Sequence, residues 1–463
     1  MVMTTEPSHS SPKKLYIKTY GCQMNVYDTT RMVDVLAPLG YQQSDSPEGA
    51  DLVILNTCHI REKAEDKVFS DLGRFYKMQR RRVSGEDKKL IAVGGCVGQA
   101  VGEEIIARAP YVDMVFGSQS YHKLPEMVTK ALRGRGAAVE LDFPPVSKFD
   151  MLPEETHTNG KSAFLAVQEG CDKFCTFCVV PYTRGAEYSR TVSELLEEAY
   201  KLVDLGAVEI TLLGQNVNGY HGAGADGKDC NLASLIASLA GISGLERIRY
   251  MTSHPMDMDD DLIAIHGSEK KLMPFLHLPV QSGSSSVLKR MNRKHTADHY
   301  MNIIHKLRAA RPDIALSSDF IVGFPGETDK EFEETIRLVE SVFYSYAYSF
   351  KYSPRPGTPA ASDEHQLPEE IKHERLMRLQ ALINRQQAAF NQSTVGKTVS
   401  VLFEKDGKID GQIVGKSPYM QSVHVKNAAE YMGSIKDVVI TDAYQTSVAG
   451  LLKHDSQSLG QAA

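Results

Sequence analysis

The chain has 463 residues, 42% hydrophobic and 24% charged, which is ordinary globular usage and enough for about three domains of ~150 residues. This composition excludes disorder over most of the length. No apolar run approaches the ~18 residues that a membrane helix needs, and the start MVMTTEPSHSSPKK lacks a signal-peptide core. A cytoplasmic location without membrane contact is therefore expected. The net charge of −6 argues against a generally basic nucleic-acid binder but leaves room for local basic surface.

Residues 1–12 are rich in Ser, Pro and Thr and read as a frayed end. From 13 to 136 short apolar runs alternate with helix-like stretches. LYIKTY, DLVILNT, LIAVGG and VDMVF read as strands. VYDTTRMVDVLAPLG, REKAEDKVFSDLGRFYKMQRRR, the stretch around EEIIARA and LPEMVTKALRG read as helices. That alternation implies an α/β domain, a doubly wound parallel sheet with helices on both faces. Residues 137–156 carry Pro, Gly and acids without sustained periodicity and read as a linker.

A second α/β stretch occupies 157–390. Strands near SAFLAVQE, VEITLLG, RIRYMTS, FLHLPV, IALSSDFIVGF and AYSFKYS alternate with helical segments. About six βα units suggest a partial (β/α)6 barrel, whose active face lies at the carboxyl ends of the strands. The polar helix PEEIKHERLMRLQALINRQQAAFNQ leads out of it. From 391 to 456 the texture changes to five short strands, as in a small five-stranded β-barrel of the oligonucleotide-binding kind, and 457–463 read as a disordered tail.

The seven cysteines do not make a disulfide scaffold. They stand at 22, 58 and 96, then at 171, 175 and 178, with Cys230 alone. Disulfides do not favour threes, and closed structural zinc sites normally take four ligands. Cys22, Cys58 and Cys96 each follow the carboxyl end of a predicted strand, the edge where open α/β sheets bind ligands. Helices that begin there present positive N-terminal ends that favour thiolates. Cysteine is common in buried strands, but that does not account for three at one edge.

The second triple, Cys171-x-x-x-Cys175-x-x-Cys178 in EGCDKFCTFCVV, follows the first strand of the barrel. Close thiolates on a loop suit a soft metal centre. Three of them on a [4Fe–4S] cluster leave one iron open to chelate the amino and carboxylate groups of S-adenosylmethionine, whose reductive cleavage gives a 5′-deoxyadenosyl radical. The CxxxCxxC spacing, with an aromatic before the third cysteine and a barrel around it, resembles the radical S-adenosylmethionine signature. Together the two triples resemble the radical S-adenosylmethionine methylthiotransferases over nearly the whole chain. That resemblance implies an N-terminal methylthiotransferase domain, a radical core and a C-terminal TRAM domain. It implies two [4Fe–4S] clusters, held by Cys22, Cys58 and Cys96 and by Cys171, Cys175 and Cys178. It also implies S-adenosylmethionine as both methyl donor and radical source.

Within the family, Gly21-Cys22-Gln23-Met24-Asn25 and Cys178-Val179-Val180-Pro181-Tyr182-Thr183-Arg184-Gly185 are most similar to the members acting on N6-isopentenyl-adenosine at tRNA position 37. The implied reaction is methylthiolation of carbon 2 of that adenine, whose C–H bond no side-chain base could ionise at neutral pH. The implied partners are the tRNA anticodon stem-loop bearing that base and a low-potential donor of the flavodoxin or ferredoxin kind. The two clusters would face each other across the base, a loop nucleotide splayed out to reach them. The C-terminal barrel would position the RNA, and a monomer is the default. Alternatives are methylthiolation of a threonylcarbamoyl-adenosine or a ribosomal-protein aspartate, a two-cluster electron carrier, and an RNA-binding protein with structural metal sites.

Further candidates flank the same edge. Gln215 and Asn216, in Leu213-Gly214-Gln215-Asn216, stand where many radical enzymes have an acid holding the cofactor's amino group, and an amide accepts that hydrogen bond without adding charge. Asp319 and Ile321 lie in SDFIVGFPGE, which resembles the strand near the adenine of the cofactor. Ser253, His254, Gln281 and Ser282 fall at predicted strand ends facing the same mouth. Residues 13–135 hold 19 basic and 15 acidic side chains, 156–393 hold 25 and 30, and 394–463 hold seven of each. Lys77, Arg80, Arg81 and Arg82 are the first candidates for phosphate contact, and Lys289, Arg290, Arg293 and Lys294 the second. Gly415-Lys416-Ser417 is no phosphate loop, because Asp410 stands where the pattern requires glycine and Pro418 blocks the following helix. Cys230, in a Gly/Asp-rich loop, reads as an incidental thiol.

Overall fold

The computed structural model describes residues 12–58, 64–80, 89–134, 136–143, 148–153, 160–224 and 227–453. They divide into two compact units, one from residues up to 153 with Tyr182–Gly185, the other from 160–181 and 186 onward. Among the described residues no helix is long and apolar enough to cross a membrane.

The first unit runs β1 (Lys13–Thr19), α1 (Gln23–Leu36), β2 (Tyr41–Gln43), β3 (Leu52–Thr57), α2 (Ala64–Arg80), β4 (Leu90–Gly95), α3 (Cys96–Arg108), β5 (Met114–Phe116), α4 (Leu124–Leu132) and β6 (Ala138–Glu140). The strands form one sheet in the order β2-β1-β3-β4-β5-β6, every pair parallel. Every residue of β3 and β4 is buried, as expected of central strands covered on both faces. Leu52 and Ile54 pack with Met32 and Leu36 of α1 and Leu124 of α4. Their neighbours Val53 and Leu55 point the other way, to Val68 and Leu72 of α2 and Ile105 of α3. The predicted doubly wound sheet is therefore present, and its order reverses between β1 and β3, the switch point where such sheets bind ligands.

Two edge strands depart from the sequence reading. β2 was not foreseen, and β6 lies inside residues 137–156, read as linker, yet pairs in register with β5 through Met114↔Ala138 and Val115↔Val139. Three-residue edge strands are too short to show a period, so pairing alone reveals them.

The second unit begins with β7 (Ser162–Ala166) and the two-residue strand β8 (Gln168–Glu169); α5 (Val180–Arg184) follows, its residues from Tyr182 on grouping with the first unit, and then β9 (Tyr188–Ser189), which pairs with β8. It continues through α6 (Val192–Asp204), β10 (Glu209–Leu213), the hairpin β11 (His221–Ala223) and β12 (Asp229–Asn231), α7 (Leu232–Ala240), β13 (Arg247–Tyr250), α8 (Asp260–Ser268), β14 (Phe275–His277), α9 (Ser285–Arg290) and α10 (Ala297–Ala310). β15 (Ala315–Val322), α11 (Asp329–Val342), β16 (Tyr346–Lys351) and α12 (Glu369–Gln392) complete it. β7, β10 and β13 form one parallel sheet and β14, β15 and β16 another. A bridge between Ile248 and Leu272 joins the two, giving the open six-stranded barrel expected. Capping boxes at Thr191 and Thr328 start α6 and α11, each satisfying two otherwise orphaned backbone donors. Ile210, Leu212, Ile248, Phe320 and Val322 face these outer helices, so the alternate residues of each strand face the lumen.

At the carboxyl end β17 (Thr398–Asp406), β18 (Gln412–Lys416), β19 (Ser422–Lys426), β20 (Ile435–Ala443) and β21 (Ser447–Leu452) close into a barrel. Gly415 lies within β18, in keeping with the dismissal of a phosphate loop, whereas Cys230, read as lying in a loop, stands in the short strand β12. The barrel is seated on the amino-terminal ends of the core strands. Arg247 donates to the carbonyls of Lys416 (3.1 Å) and Ser400 (2.8 Å), and Arg249 to those of Pro418 (2.8 Å) and Ser417 (3.0 Å). Glu209, which opens β10, pairs with Arg249 at 2.9 Å.

Candidate functional site

In the first unit the three cysteines occupy the carboxyl edge, as expected from sequence. Cys22 is the N-cap of α1, Cys58 follows β3, and Cys96 opens α3. Gly21 has φ +101, and a Cβ there would lie 2.1 Å from Cys58 Cβ and 2.6 Å from its Sγ, so only glycine admits this approach. A buried network joins the three loops. Asn25 donates to Thr57 O at 2.8 Å, Asn56 donates to Asn25 O at 2.7 Å, and Thr57 Oγ1 accepts from Val97 N at 3.2 Å. Sequence reasoning missed Asn56 and Thr57, whose only signal was their place just before Cys58.

A hydrogen bond with Cys58 pulls the Cys22 thiol down to about 6, with Arg184 acting in the same sense. Burial pushes the Cys96 thiol up, against the opposing pull of Arg184. Of the basic cluster at 77–82, the Arg80 side chain, Arg81 and Arg82 lie outside the described residues.

In the second unit Cys171, Cys175 and Cys178 lie on the loop between β8 and α5. The turn at 290–293 holds this loop. Thr176 N donates to Met291 O (3.1 Å), Asn292 Nδ2 to Phe174 O (2.8 Å), and Arg293 Nη1 to Cys175 Sγ (3.7 Å). Burial pushes Cys171 up to about 11 and Cys178 up to about 12. Such thiols ionise only if a bound cationic centre repays their desolvation. Among the described residues no three His, Cys, Asp or Glu side chains converge on a single ion. The donor set fits a polynuclear iron–sulfur cluster instead, since each thiolate then takes its own iron at a separate corner.

This placement corrects the second basic cluster. Arg293 is buried against Cys175, and Arg290 is paired with Glu331. Lys289, Arg290 and Lys294 are exposed, but Arg290 is engaged by Glu331 and Arg293 is buried, so the four do not form one phosphate-facing patch.

The other candidates collect at the carboxyl ends of the barrel strands. Gln215 and Asn216 follow β10, Ser253 and His254 follow β13, Gln281 and Ser282 follow β14, and Asp319 and Ile321 face the lumen from β15. Their side chains are not equally available. Gln215 Oε1 accepts from Gly170 N at 2.7 Å, leaving one lone pair, and Ser282 Oγ is spent on Thr335 (3.2 Å) and Ser284 N (3.2 Å). Ile321 packs against the buried cluster that holds Val287, Met291 and Phe324. By contrast Asn216 Oδ1, Ser253 Oγ and His254 Nε2 are buried without a hydrogen-bond partner, as are Arg293 Nε and His295 Nε2. Buried polar atoms are nearly always satisfied, so such a group at one barrel mouth marks a place for a polar ligand. Gln168, whose Oε1 accepts from both Gln215 N (2.9 Å) and Asn216 N (3.0 Å), was not foreseen. Neither was the pair of Asp257 with Lys173 at 2.7 Å.

His254, His266 and His295 are each at least 94% buried. Burial lowers them to about 2, 3 and 4 respectively, with nearby arginine charge reinforcing it. They are therefore neutral in the folded chain, whereas the unfolded chain protonates them below pH ~6.5. Stability from this source is complete above that pH and falls as pH drops toward the folded values. At pH 5.5 the three should cost about 4 kcal/mol relative to pH 8. Urea unfolding at the two pH values, with and without His266→Phe, checks this, and an equal pH dependence in both proteins would contradict it.

Comparison with known proteins agrees with this geometry. Residues 14–117 match the uncharacterized protein family UPF0004, 165–339 the radical SAM superfamily, and 392–453 the TRAM domain. The tRNA-2-methylthio-N(6)-dimethylallyladenosine synthase of Rickettsia felis is 60% identical over 440 residues, covering 95% of this chain and 99% of that protein. The enzyme of the same name from Rickettsia canadensis is 59% identical with the same coverage. Among solved structures, the radical S-adenosylmethionine methyltransferase TsrM of Kitasatospora setae has a TM-score of 0.56 at 12% identity, covering 76% of this chain and 77% of that one. The cobalamin-dependent radical enzyme OxsB has 0.51 at 13%, covering 81% and 56%. Both share the fold alone. The superfamily match brings S-adenosylmethionine and a [4Fe–4S] cluster as cofactors. From the paired cysteine triples, the three domain matches and identity over nearly its full length, the chain belongs to the radical S-adenosylmethionine methylthiotransferases, among the tRNA-2-methylthio-N(6)-dimethylallyladenosine synthases.

Proposed function

We propose that the chain methylthiolates carbon 2 of N6-isopentenyl-adenosine at position 37 of tRNA, using a second [4Fe–4S] cluster on Cys22, Cys58 and Cys96 besides the one on Cys171, Cys175 and Cys178. When bound, the clusters and S-adenosylmethionine supply reductive radical chemistry and the methylthio group, neither of which side chains provide. The observation that carries this reading is the pair of three-cysteine sets, each at the carboxyl edge of its own sheet and each one thiol short of a closed cluster. Electron carriers close their ligand sets, so two incomplete sets favour an enzyme.

The chain's own residues bind and orient. Arg293 donates to Cys175 Sγ from a buried position and so holds that sulfur in place. Asn216, Ser253, His254 and His295 offer their unpaired polar atoms to the bound cofactor or the adenine. His254 and His295 do so as neutral rings, which can accept as well as donate. The TRAM barrel, held by Arg247 and Arg249 and with seven charges of each sign from residue 394 onward, supports RNA positioning more than electrostatic capture. A low-potential donor of the flavodoxin or ferredoxin kind would deliver the electrons.

The test is mass spectrometry of tRNA nucleosides after anaerobic incubation of the reconstituted protein with isopentenylated tRNA, reductant and S-adenosylmethionine. The methylthio nucleoside should form, and alanine at either cysteine triple should reduce it to background. Formation of 5′-deoxyadenosine with unchanged tRNA would refute the substrate while keeping the radical core.

A further inference from the structure

β16 is the outer strand of the sheet β14-β15-β16, and its lumen face is aromatic. Phe320 and Val322 of β15 face the outer helices, so Ser317, Asp319 and Ile321 face the lumen. Their partners in the parallel register are Tyr346, Tyr348 and Phe350, which share that face. Tyr348 is 52% exposed and Phe350 46%. A single exposed aromatic is ordinary, but two on one face of an edge strand invite non-native association. Their place at the barrel mouth gives them a use that offsets this cost.

Each ring rests on the layer before it. Phe275 and Tyr346 stack at 5.7 Å and 8°, Tyr346 meets Tyr348 edge-on at 5.5 Å and 84°, and His277 meets Tyr348 at 6.3 Å and 73°. His277 is anchored in turn, its Nδ1 3.0 Å from Ser317 Oγ and its Nε2 3.6 Å from Asp319 Oδ2. The Asp319 side chain is 30% exposed where that of His277 is 9%, so its carboxylate can accept from a ligand in the lumen. None of the lumen-facing residues of these three strands is a lysine or arginine, which suits a neutral base and not the phosphate backbone. Positions two apart on a strand lie about 6.6 Å apart, room for a planar base on one ring and a short apolar chain on the other.

We propose that Tyr348 and Phe350 are specificity residues for the substrate base, holding the purine of N6-isopentenyl-adenosine and its five-carbon chain while Asp319 accepts from the N6–H. The inference rests on the substrate reading given above and names the side chains that recognise that base. Stacking on an aromatic ring is open to every base, so the purine alone would not be selected. The isopentenyl chain makes the difference, because its carbons gain by leaving water for the second ring and Ile321. The adenine of S-adenosylmethionine carries no such chain and would leave one ring bare.

The test uses the full reconstituted chain, kept anaerobic, and two synthetic anticodon stem-loops that differ only in isopentenylation of the position-37 adenine. Dissociation constants for both stem-loops and for S-adenosylmethionine are measured in the parent and in three variants. The parent should bind the isopentenylated stem-loop about tenfold more tightly than the plain one. Tyr348→Ala/Phe350→Ala should bring that ratio to within about twofold of unity, and Phe350→Ala alone should lower it about threefold or more. Asp319→Ala should weaken both stem-loops by a similar factor, since each adenine carries an N6–H. Binding of S-adenosylmethionine should stay within about twofold of the parent throughout. A change in the ratio of two ligands is a signature that loosened packing does not produce, and if the double variant fails to fold, Phe350→Ala decides. A parent without the preference, or variants that keep it, would overturn the inference alone. Weaker S-adenosylmethionine binding in the aromatic variants would assign the face to the cofactor and overturn it too. A parent that forms 5′-deoxyadenosine but leaves the isopentenylated stem-loop unmodified overturns the substrate reading and this inference with it.

Discussion

Arg249→Met should destabilise the fold by about 3–5 kcal/mol, the cost of removing one partner from a buried ion pair. Arg249 is 2% exposed and is the nearest cation to Glu209, at 2.9 Å, whereas Arg247 stands 3.8 Å away. Its loss leaves a buried carboxylate poorly compensated and takes the donor from two carbonyls of the TRAM barrel, Ser417 and Pro418. The chain has no tryptophan, so urea unfolding is best followed by far-ultraviolet circular dichroism. The double variant Glu209→Gln/Arg249→Met should recover part of the loss, because the stranded charge is gone. A single-variant cost under about 1 kcal/mol would instead place this pair with exposed ones.

Gly21→Ala should remove the iron of the second cluster proposed at the amino-terminal cysteines while sparing the radical centre. The new Cβ would fall 2.6 Å from Cys58 Sγ at a φ of +101, so both the backbone and the thiol have to move. Bound iron should drop by roughly half, from two clusters to one. Methylthio nucleoside should fall to background, while 5′-deoxyadenosine still forms at Cys171, Cys175 and Cys178. Full iron and normal product would show that Cys58 is not held where the ligand reading requires it.

Strand runs, cysteine spacing and the texture change at the carboxyl end made the three-part α/β, barrel and small-barrel architecture legible in the sequence. They worked because they are local: a buried strand such as LVILNT opens on four consecutive apolar residues, and CxxxCxxC is a motif within eight residues. Of the eight candidates around the barrel mouth, Ser253, His254, Gln281 and Ser282 were likewise read from strand ends, and Gln215, Asn216, Asp319 and Ile321 from the resemblance of their motifs. Their availability was not legible, since hydrogen bonding to Gly170 or Thr335 depends on chain segments 45 and 53 residues away.

What the sequence by itself determined was the identity of the six cysteines, their placement at strand ends and the order of the domains. Tertiary structure alone decided the edge strand β6, the burial of Arg293 on Cys175, the seat of the TRAM barrel on Arg247 and Arg249, and the meeting of Asp28 with Arg184 across 156 residues. A charged side chain reads as surface in any local pattern. Only the fold shows that these arginines and this aspartate are buried, because their partners come from remote parts of the chain.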